Sequence, residues 1–165
     1  MKNLKKAVNL MNKAFVYVSV ALLAVVIIST SIQVFTRYIM NASLSGTDEV
    51  ARFVFVWMSM LGASVCVSTH GHAAVSVLND FLKGRSKLYK YHCVLIEALM
   101  VIGAAVIVIY GTKLAIYTSA QKSAGLGIPI SFTYACLPVG GVGMILNGIL
   151  NIIEAFLGEE GGEEK

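Results

Sequence analysis

Four long apolar segments dominate this sequence and limit what the chain can fold into. They cover residues 14–38, 49–69, 89–117 and 129–157. Each reaches the roughly 20 residues that an α-helix needs to cross the hydrocarbon core of a bilayer, and none alternates like a membrane strand of about 10 residues. We predict an all-α integral membrane protein with four transmembrane helices in one domain, residues 1–157. An acidic tail at residues 158–165 is expected to be disordered.

The composition supports a membrane protein and narrows its function. Of the 165 residues, 57% are hydrophobic and 13% are charged, whereas soluble domains carry about 25% charged residues. The net charge of +4 does not indicate a nucleic-acid partner, because the basic residues lie at segment ends without interleaved aromatic residues. The three cysteines form no C-x-x-C pair and are expected to be small packing residues. We expect no enzyme activity, no cofactor and no metal.

Lysine and arginine are distributed unevenly between the two ends of the segments. One end carries Lys2, Lys5, Lys6, Lys13, Lys83, Arg85, Lys87 and Lys90. The other end carries Arg37, Arg52, Lys113 and Lys122. Because short cytoplasmic segments are enriched in basic residues, both termini are predicted to be cytoplasmic. The first segment is too long for the apolar part of a cleaved signal peptide, so we expect it to remain as a span.

The second connection, residues 71–87, has an amphipathic pattern. Its apolar residues fall on one helical face: Ala74, Val75, Leu78, Phe81 and Leu82. This pattern predicts a helix lying in the membrane interface. An ordinary cytoplasmic end of the second span remains the alternative.

The fourth segment contains both prolines of the chain. Pro129 suits a first helical turn, where its missing N–H leaves no hydrogen bond unmade. Pro138 is expected to kink the helix, with Gly140 and Gly141 allowing another helix to approach closely. A substrate-binding break is the alternative, but transporters usually carry such interrupted helices as a pair in two repeats, and the sequence shows no second copy.

A polar patch separates the first two segments. Ser45 and Asp48 resemble a capping box, which predicts that the second helix begins near Gly46 or Thr47. Asp48 and Glu49 then lie in its first turn, and Asp48 can pair with Arg52 four residues later. Three further polar residues, which the cap does not explain, lie before it: Arg37, Asn41 and Ser43.

Glu97 and the histidines suggest two alternative functions for the chain. An acid inside a span is a functional candidate, so Glu97 suggests a stand-alone, proton-coupled small exporter. The structural alternative pairs Glu97 with a basic residue or buries it against another subunit. Haem ligation in a redox anchor would need histidines that face each other. His70, His72 and His92 lie near segment ends, and the first two are on different sides of a helix, which favours interfacial histidines.

Three stretches together resemble a known family. They are "RYIMNASLSGTDEVARFVFVWMSMLGA", "HGHAAV" and "GIPISFTYACLPVGG". They resemble the small membrane subunit, of the DctQ type, of tripartite ATP-independent periplasmic (TRAP) transporters. The matching positions are Arg37, Tyr38, Asn41, Ser43, Ser45, Asp48, Glu49, Ala51, Arg52, Trp57, Gly62, Ala63, His70 and His72. Gly46 departs from the pattern, where the family often has Trp.

The resemblance implies a role in the bacterial cytoplasmic (inner) membrane. A periplasmic binding protein captures an organic acid, and a large membrane subunit moves it inward with a sodium gradient. The small subunit packs against the large one and helps dock the binding protein. The implied periplasmic interface is Arg37, Asn41, Ser43, Asp48, Glu49 and Arg52, and the expected packing residues are Ser45, Trp57, Gly62, Glu97, Pro129, Pro138, Gly140 and Gly141. The spans offer almost no polar interior for a substrate, which agrees with this role.

Overall fold

The computed structural model describes residues 2–40, 45–69 and 86–157. Its helices are α1 (Lys2–Tyr38), α2 (Ser45–Ser68), α3 (Ser86–Tyr117), the short α4 (Ser131–Tyr134) and α5 (Cys136–Leu157). Several predicted features lie outside the described residues: Asn41, Ser43, His70, His72, the acidic tail and residues 71–85 of the expected interfacial helix.

Four stretches are long and apolar enough to cross a membrane: Asn3–Tyr38, Gly46–Ser68, Val94–Tyr117 and Ser131–Ala155. This confirms the predicted all-α membrane fold with four spanning helices. Large apolar side chains such as Ile27, Ile28 and Ile102 are more than half exposed. In a bilayer these side chains contact lipid rather than water.

Three helices begin earlier than the sequence pattern predicted, α3 among them at Ser86 rather than near residue 89. α1 begins at Lys2 rather than near residue 14, so it is about 55 Å long at 1.5 Å per residue. That length exceeds the hydrocarbon core of about 30 Å. The lysine-rich first turns therefore extend the helix beyond the apolar span. α2 begins at Ser45 itself.

The kink expected at Pro138 takes the form of a one-residue interruption, because Ala135 keeps a helical backbone with φ −61° and ψ −20° and its N–H donates to the Ser131 carbonyl. The break falls at Ala135, between α4 and α5. Pro138 cannot donate a hydrogen bond to the carbonyl of Tyr134, and its ring crowds that carbonyl. The helix is thus interrupted before Pro138, which then lies in the first turn of α5, where the missing N–H leaves nothing unmade.

Pro129 was predicted to lie in a first helical turn. It lies before α4 instead, because that helix begins two residues later. It forms an isolated antiparallel β-bridge with Lys122. The hydrogen bonds of this bridge are made by the flanking residues, from Ser123 N–H to the Ile128 carbonyl and from Ile130 N–H to the Gln121 carbonyl, each 2.9 Å. A proline is tolerated there because the bridge does not use its nitrogen.

α5 holds the described bundle together. It packs along both α2 and α3 and also meets α1 and α4, and no other helix in the described ranges contacts all the rest. Two glycines make this close packing possible. A Cβ at Gly140 would lie 2.9 Å from the carbonyl oxygen of Met60, and one at Gly141 would lie 2.7 Å from Val108 Cγ2. Contact between helix backbones is the main source of stability where lipid is as apolar as the side chains.

Gly62 differs from these two glycines. A Cβ built there would meet nothing within 4 Å. Gly62 therefore does not mediate a close approach between the described helices. Its expected packing role remains a prediction.

Candidate functional site

The first candidate site lies where α1 ends, α2 begins and the α3–α4 loop returns, which we call the Glu49 end of the bundle. Both carboxylate oxygens of Glu49 accept backbone hydrogen bonds from this loop. The Gly125 N–H donates to Oε1 at 2.9 Å and the Leu126 N–H donates to Oε2 at 3.0 Å. Hydrogen bonds to an ionised carboxylate are stronger than neutral ones. Glu49 thus fastens the loop to the start of α2.

Small residues let the loop approach this closely. A Cβ at Gly125 would lie 3.1 Å from the Glu49 carboxylate and 3.2 Å from the Cα of Gly46. Gly127 then turns the chain with φ at +67°, a region that favours glycine. Gly46 is the position that departed from the family pattern. A large side chain there would occupy the space now filled by Leu126, whose Cδ2 lies 3.5 Å from a Cβ built at Gly46.

Asp48 links α2 to α1. Its carboxylate accepts a hydrogen bond from Gln33 Nε2 at 3.1 Å and pairs with Arg52 Nη2 at 2.6 Å. The pairing of Asp48 with Arg52 was predicted from their spacing, whereas Gln33 was missed because it lies inside the first apolar segment. The side chain of Ser45 is outside the described residues, so its capping role remains a prediction.

Arg37 lies one turn beyond Gln33, near the end of α1, and its side chain is exposed. Among the described residues no side chain forms a hydrogen bond or ion pair with it. The nearby acids Asp48 and Glu49 are already engaged, by Arg52 and by the loop amides respectively. The Glu49 end therefore presents a positive charge at Arg37.

Trp57 provides a third connection at this end. Its indole N–H donates to the carbonyl of Phe132 at 3.0 Å. The two rings also pack with centroids 5.5 Å apart. Trp57 thereby connects the short helix α4 to α2.

A second polar cluster lies near the opposite end of the bundle, which we call the Lys5 end. The carboxamides of Asn147 on α5 and Asn12 on α1 exchange two hydrogen bonds of 2.8 and 3.0 Å. Asn147 Nδ2 also donates to the Ser64 carbonyl of α2 at 2.9 Å. Asn147 is almost completely buried. This one side chain therefore connects three helices.

Asn151 continues the cluster one helical turn later. Its Nδ2 donates to the Val67 carbonyl at 2.9 Å and to Glu97 Oε1 at 3.0 Å. Val67 lies in the last turn of α2, where carbonyl groups lack partners within the helix. Farther along, Glu154 pairs with Lys5 at 2.8 Å. We call Asn12, Asn147, Asn151 and Glu97 the amide ladder.

The amide ladder places polar side chains inside the bundle, where they bond helices to one another. Glu97 is buried within its own chain, and one of its partners is the neutral amide of Asn151. The sequence feature that could have predicted this cluster is the spacing of Asn147 and Asn151, which lie four residues apart on one face of α5.

The histidine side chains lie outside the described residues. Across the ranges that the structure describes, no three His, Cys, Asp or Glu side chains come together as metal ligands.

The fold and its polar contacts define a multi-pass membrane protein whose buried polar groups join helices to one another. The chain belongs to the DctQ family, because the model of "Tripartite ATP-independent periplasmic transporters, DctQ component" matches residues 26–158. It is therefore a small permease subunit of a TRAP transporter, as the sequence resemblance indicated, and such subunits are not a class of enzyme.

Named relatives agree with this assignment. The sialic acid TRAP transporter small permease protein SiaQ of Vibrio cholerae is 29% identical over 96% of this chain and 90% of its own length. A Haemophilus influenzae protein named "Putative TRAP transporter small permease protein" is 25% identical over 84% of this chain and 85% of its own. A second Haemophilus influenzae protein of the same name is 22% identical over 92% and 90%.

Proposed function

We propose that this subunit serves a sodium-coupled transporter that takes up an organic acid across the bacterial inner membrane. In this proposal it packs against the large permease as a stationary scaffold, with both termini in the cytoplasm. The Glu49 end then faces the periplasm and helps dock the substrate-binding protein. A sialic acid is a carboxylic acid, so the name of the Vibrio cholerae relative supports an organic acid as the class of substrate.

The observation that carries the docking proposal is the bracing of the Glu49 end. Contacts from Asp48, Glu49 and Trp57 tie α2 to α1, to the loop and to α4. A surface fixed by three independent contacts is preorganised, which lowers the entropic cost of binding a partner. Arg37 and Arg52 are exposed beside these contacts. Such a surface suits an acidic patch on the binding protein, because complementary charges steer association.

The amide ladder supports a scaffold rather than a proton-coupled exporter. Carboxamides do not titrate, so Asn151 can orient Glu97 through its hydrogen bond but cannot take up a proton from it. The hydrogen bonds of Asn147 and Asn151 reach helices α1, α2 and α3. This arrangement serves to hold the helices in a fixed register.

The experiment is sodium-driven uptake into proteoliposomes that contain the complete complex, with substrate and binding protein added outside. We expect Arg37→Glu to reduce uptake severalfold and to weaken association of the binding protein, while the large permease still co-purifies. Arg37→Lys should restore most of the uptake. Lys6→Glu is a matched control for Arg37→Glu, because Lys6 is exposed on α1 at the other end of the bundle. Unchanged uptake and association in Arg37→Glu would exclude docking by this residue.

A further inference from the structure

An apolar groove of about 670 Å³ runs between the end of α3 and the α4–α5 segment. Its wall is formed mainly by Ala115, Ile116, Ile128, Pro129, Phe132 and Pro138. The groove lies beside the last turns of α3, where α4 is followed by α5. Most of its wall belongs to the membrane-spanning stretches, so hydrocarbon rather than water is the medium it faces.

The polar groups of the groove are arranged by depth. The Thr112 hydroxyl donates to the Val108 carbonyl of its own helix at 2.7 Å, so it does not require a partner in the groove. Ser119 follows α3 and Ser131 begins α4. Both therefore lie toward the Glu49 end, at the mouth of the groove. The deeper wall is apolar and the mouth carries hydroxyl groups.

A positive charge also lies at the mouth. Lys122 and Pro129 form a bridged pair that makes no hydrogen bond of its own. In such an antiparallel pair the two side chains lie on the same side and close together. The Pro129 ring lines the groove. The Lys122 side chain therefore also lies on the side of the bridge that faces the groove. Lys122 is exposed, and no ion pair forms with it in the described part of the chain.

We propose that this groove binds a phospholipid from the leaflet at the Glu49 end. One acyl chain lies against the apolar wall, and the phosphate accepts hydrogen bonds from the Lys122 ammonium and from the hydroxyl groups at the mouth. An apolar wall beneath a cationic rim matches the two parts of a phospholipid. The site goes beyond the docking proposal and does not depend on it.

The chemistry of the groove favours a phospholipid over a helix of another subunit as its occupant. A transmembrane helix would present apolar side chains to the wall and supply no anion to the Lys122 ammonium. A phospholipid supplies both an acyl chain for the apolar wall and a phosphate for the cationic mouth.

The test is photocrosslinking of the assembled complex with its large permease. The complex is placed in phosphatidylethanolamine vesicles that contain a small fraction of phosphatidylglycerol with a diazirine in one acyl chain. We expect label to concentrate on peptides from residues 112–119 and 128–138. Lys122→Glu should reduce that labelling severalfold, and Ile116→Trp should do the same by filling the groove from an exposed position. Leu114→Trp is the matched control, because Leu114 is on the same helix but does not line the groove.

Several results would overturn the proposal. Labelling spread evenly over all four spans would mean that the groove only contacts bulk lipid, as would labelling unchanged in both Lys122→Glu and Ile116→Trp. Groove labelling seen only when the large permease is absent would show that the groove is covered by protein. Co-purification of the large permease with both variants confirms that each still folds and assembles.

Discussion

Asn12 and Asn147 exchange a pair of hydrogen bonds, each carboxamide donating to the oxygen of the other at 2.8 and 3.0 Å. The two residues are 135 positions apart and join the first helix of the chain to the last. In a lipid-facing bundle such a contact fixes the register of two helices, because sliding one by a turn would leave both amides unpaired in an apolar environment.

Replacing Asn147 by Ala should destabilise the subunit. Hydrogen bonds between membrane helices contribute on average about 0.6 kcal/mol and at most about 1.7 kcal/mol, and loss of this buried side chain also leaves Asn12 without its partner. We expect the double variant Asn12→Ala/Asn147→Ala to lose about 1 kcal/mol less than the sum of the two single variants. The measurement is reversible unfolding of the purified subunit in mixed detergent micelles. As a control, Asn12→Ala with Asn151→Ala should be additive, because Asn12 and Asn151 share no hydrogen bond.

Glu97→Gln separates a structural role from a proton-carrying one. A glutamine at this position keeps an oxygen that can accept the hydrogen bond from Asn151, so the amide ladder should persist. We expect sodium-driven uptake to stay within about twofold of the wild type, since the loss of one charge-assisted hydrogen bond is a modest change. Uptake that vanishes while the large permease still co-purifies would instead support the exporter hypothesis.

The spanning helices could be predicted from sequence because the length and apolar composition of each segment are enough to indicate a transmembrane helix. The pairing of Asp48 with Arg52 was equally local, since four residues form one helical turn. The partners of Glu49 are different. Gly125 is 76 positions away, and only the return of the α3–α4 loop brings its amide to the carboxylate.

The amide ladder shows a second limit of the sequence. The spacing of Asn147 and Asn151 indicates that they share a face, but not which helix that face meets. Their partners include the carbonyls of Ser64 and Val67, and a backbone carbonyl leaves no mark in the pattern of side chains. Pro138 indicated a disturbed helix, but not that the interruption falls three residues earlier, at Ala135.

Removal of the Glu49 side chain should loosen the α3–α4 loop without unfolding the helices. In Glu49→Ala the Gly125 and Leu126 N–H groups lose their acceptor, so we expect their hydrogen exchange to accelerate severalfold, as for a segment that opens locally. Asp48→Ala is the matched control. Asp48 contacts α1 and Arg52 but not the loop, so exchange in residues 123–127 should remain slow. Equal acceleration in both variants would mean that the whole Glu49 end opens as one unit.

Gly140 and Gly62 form a natural pair for testing how closely α2 approaches α5. In Gly140→Ala the new methyl group would lie 2.9 Å from the Met60 carbonyl oxygen and 3.0 Å from its Cβ, so the helices must separate. We expect a loss of about 1–3 kcal/mol in the free energy of unfolding, the usual cost of overpacking a close contact. Gly62→Ala should be neutral or stabilising by up to about 1 kcal/mol, because the methyl group meets nothing and alanine favours the helix. Both values are measured on the purified subunit by the same detergent unfolding. A Gly140→Ala variant as stable as Gly62→Ala would contradict the close approach of the two backbones.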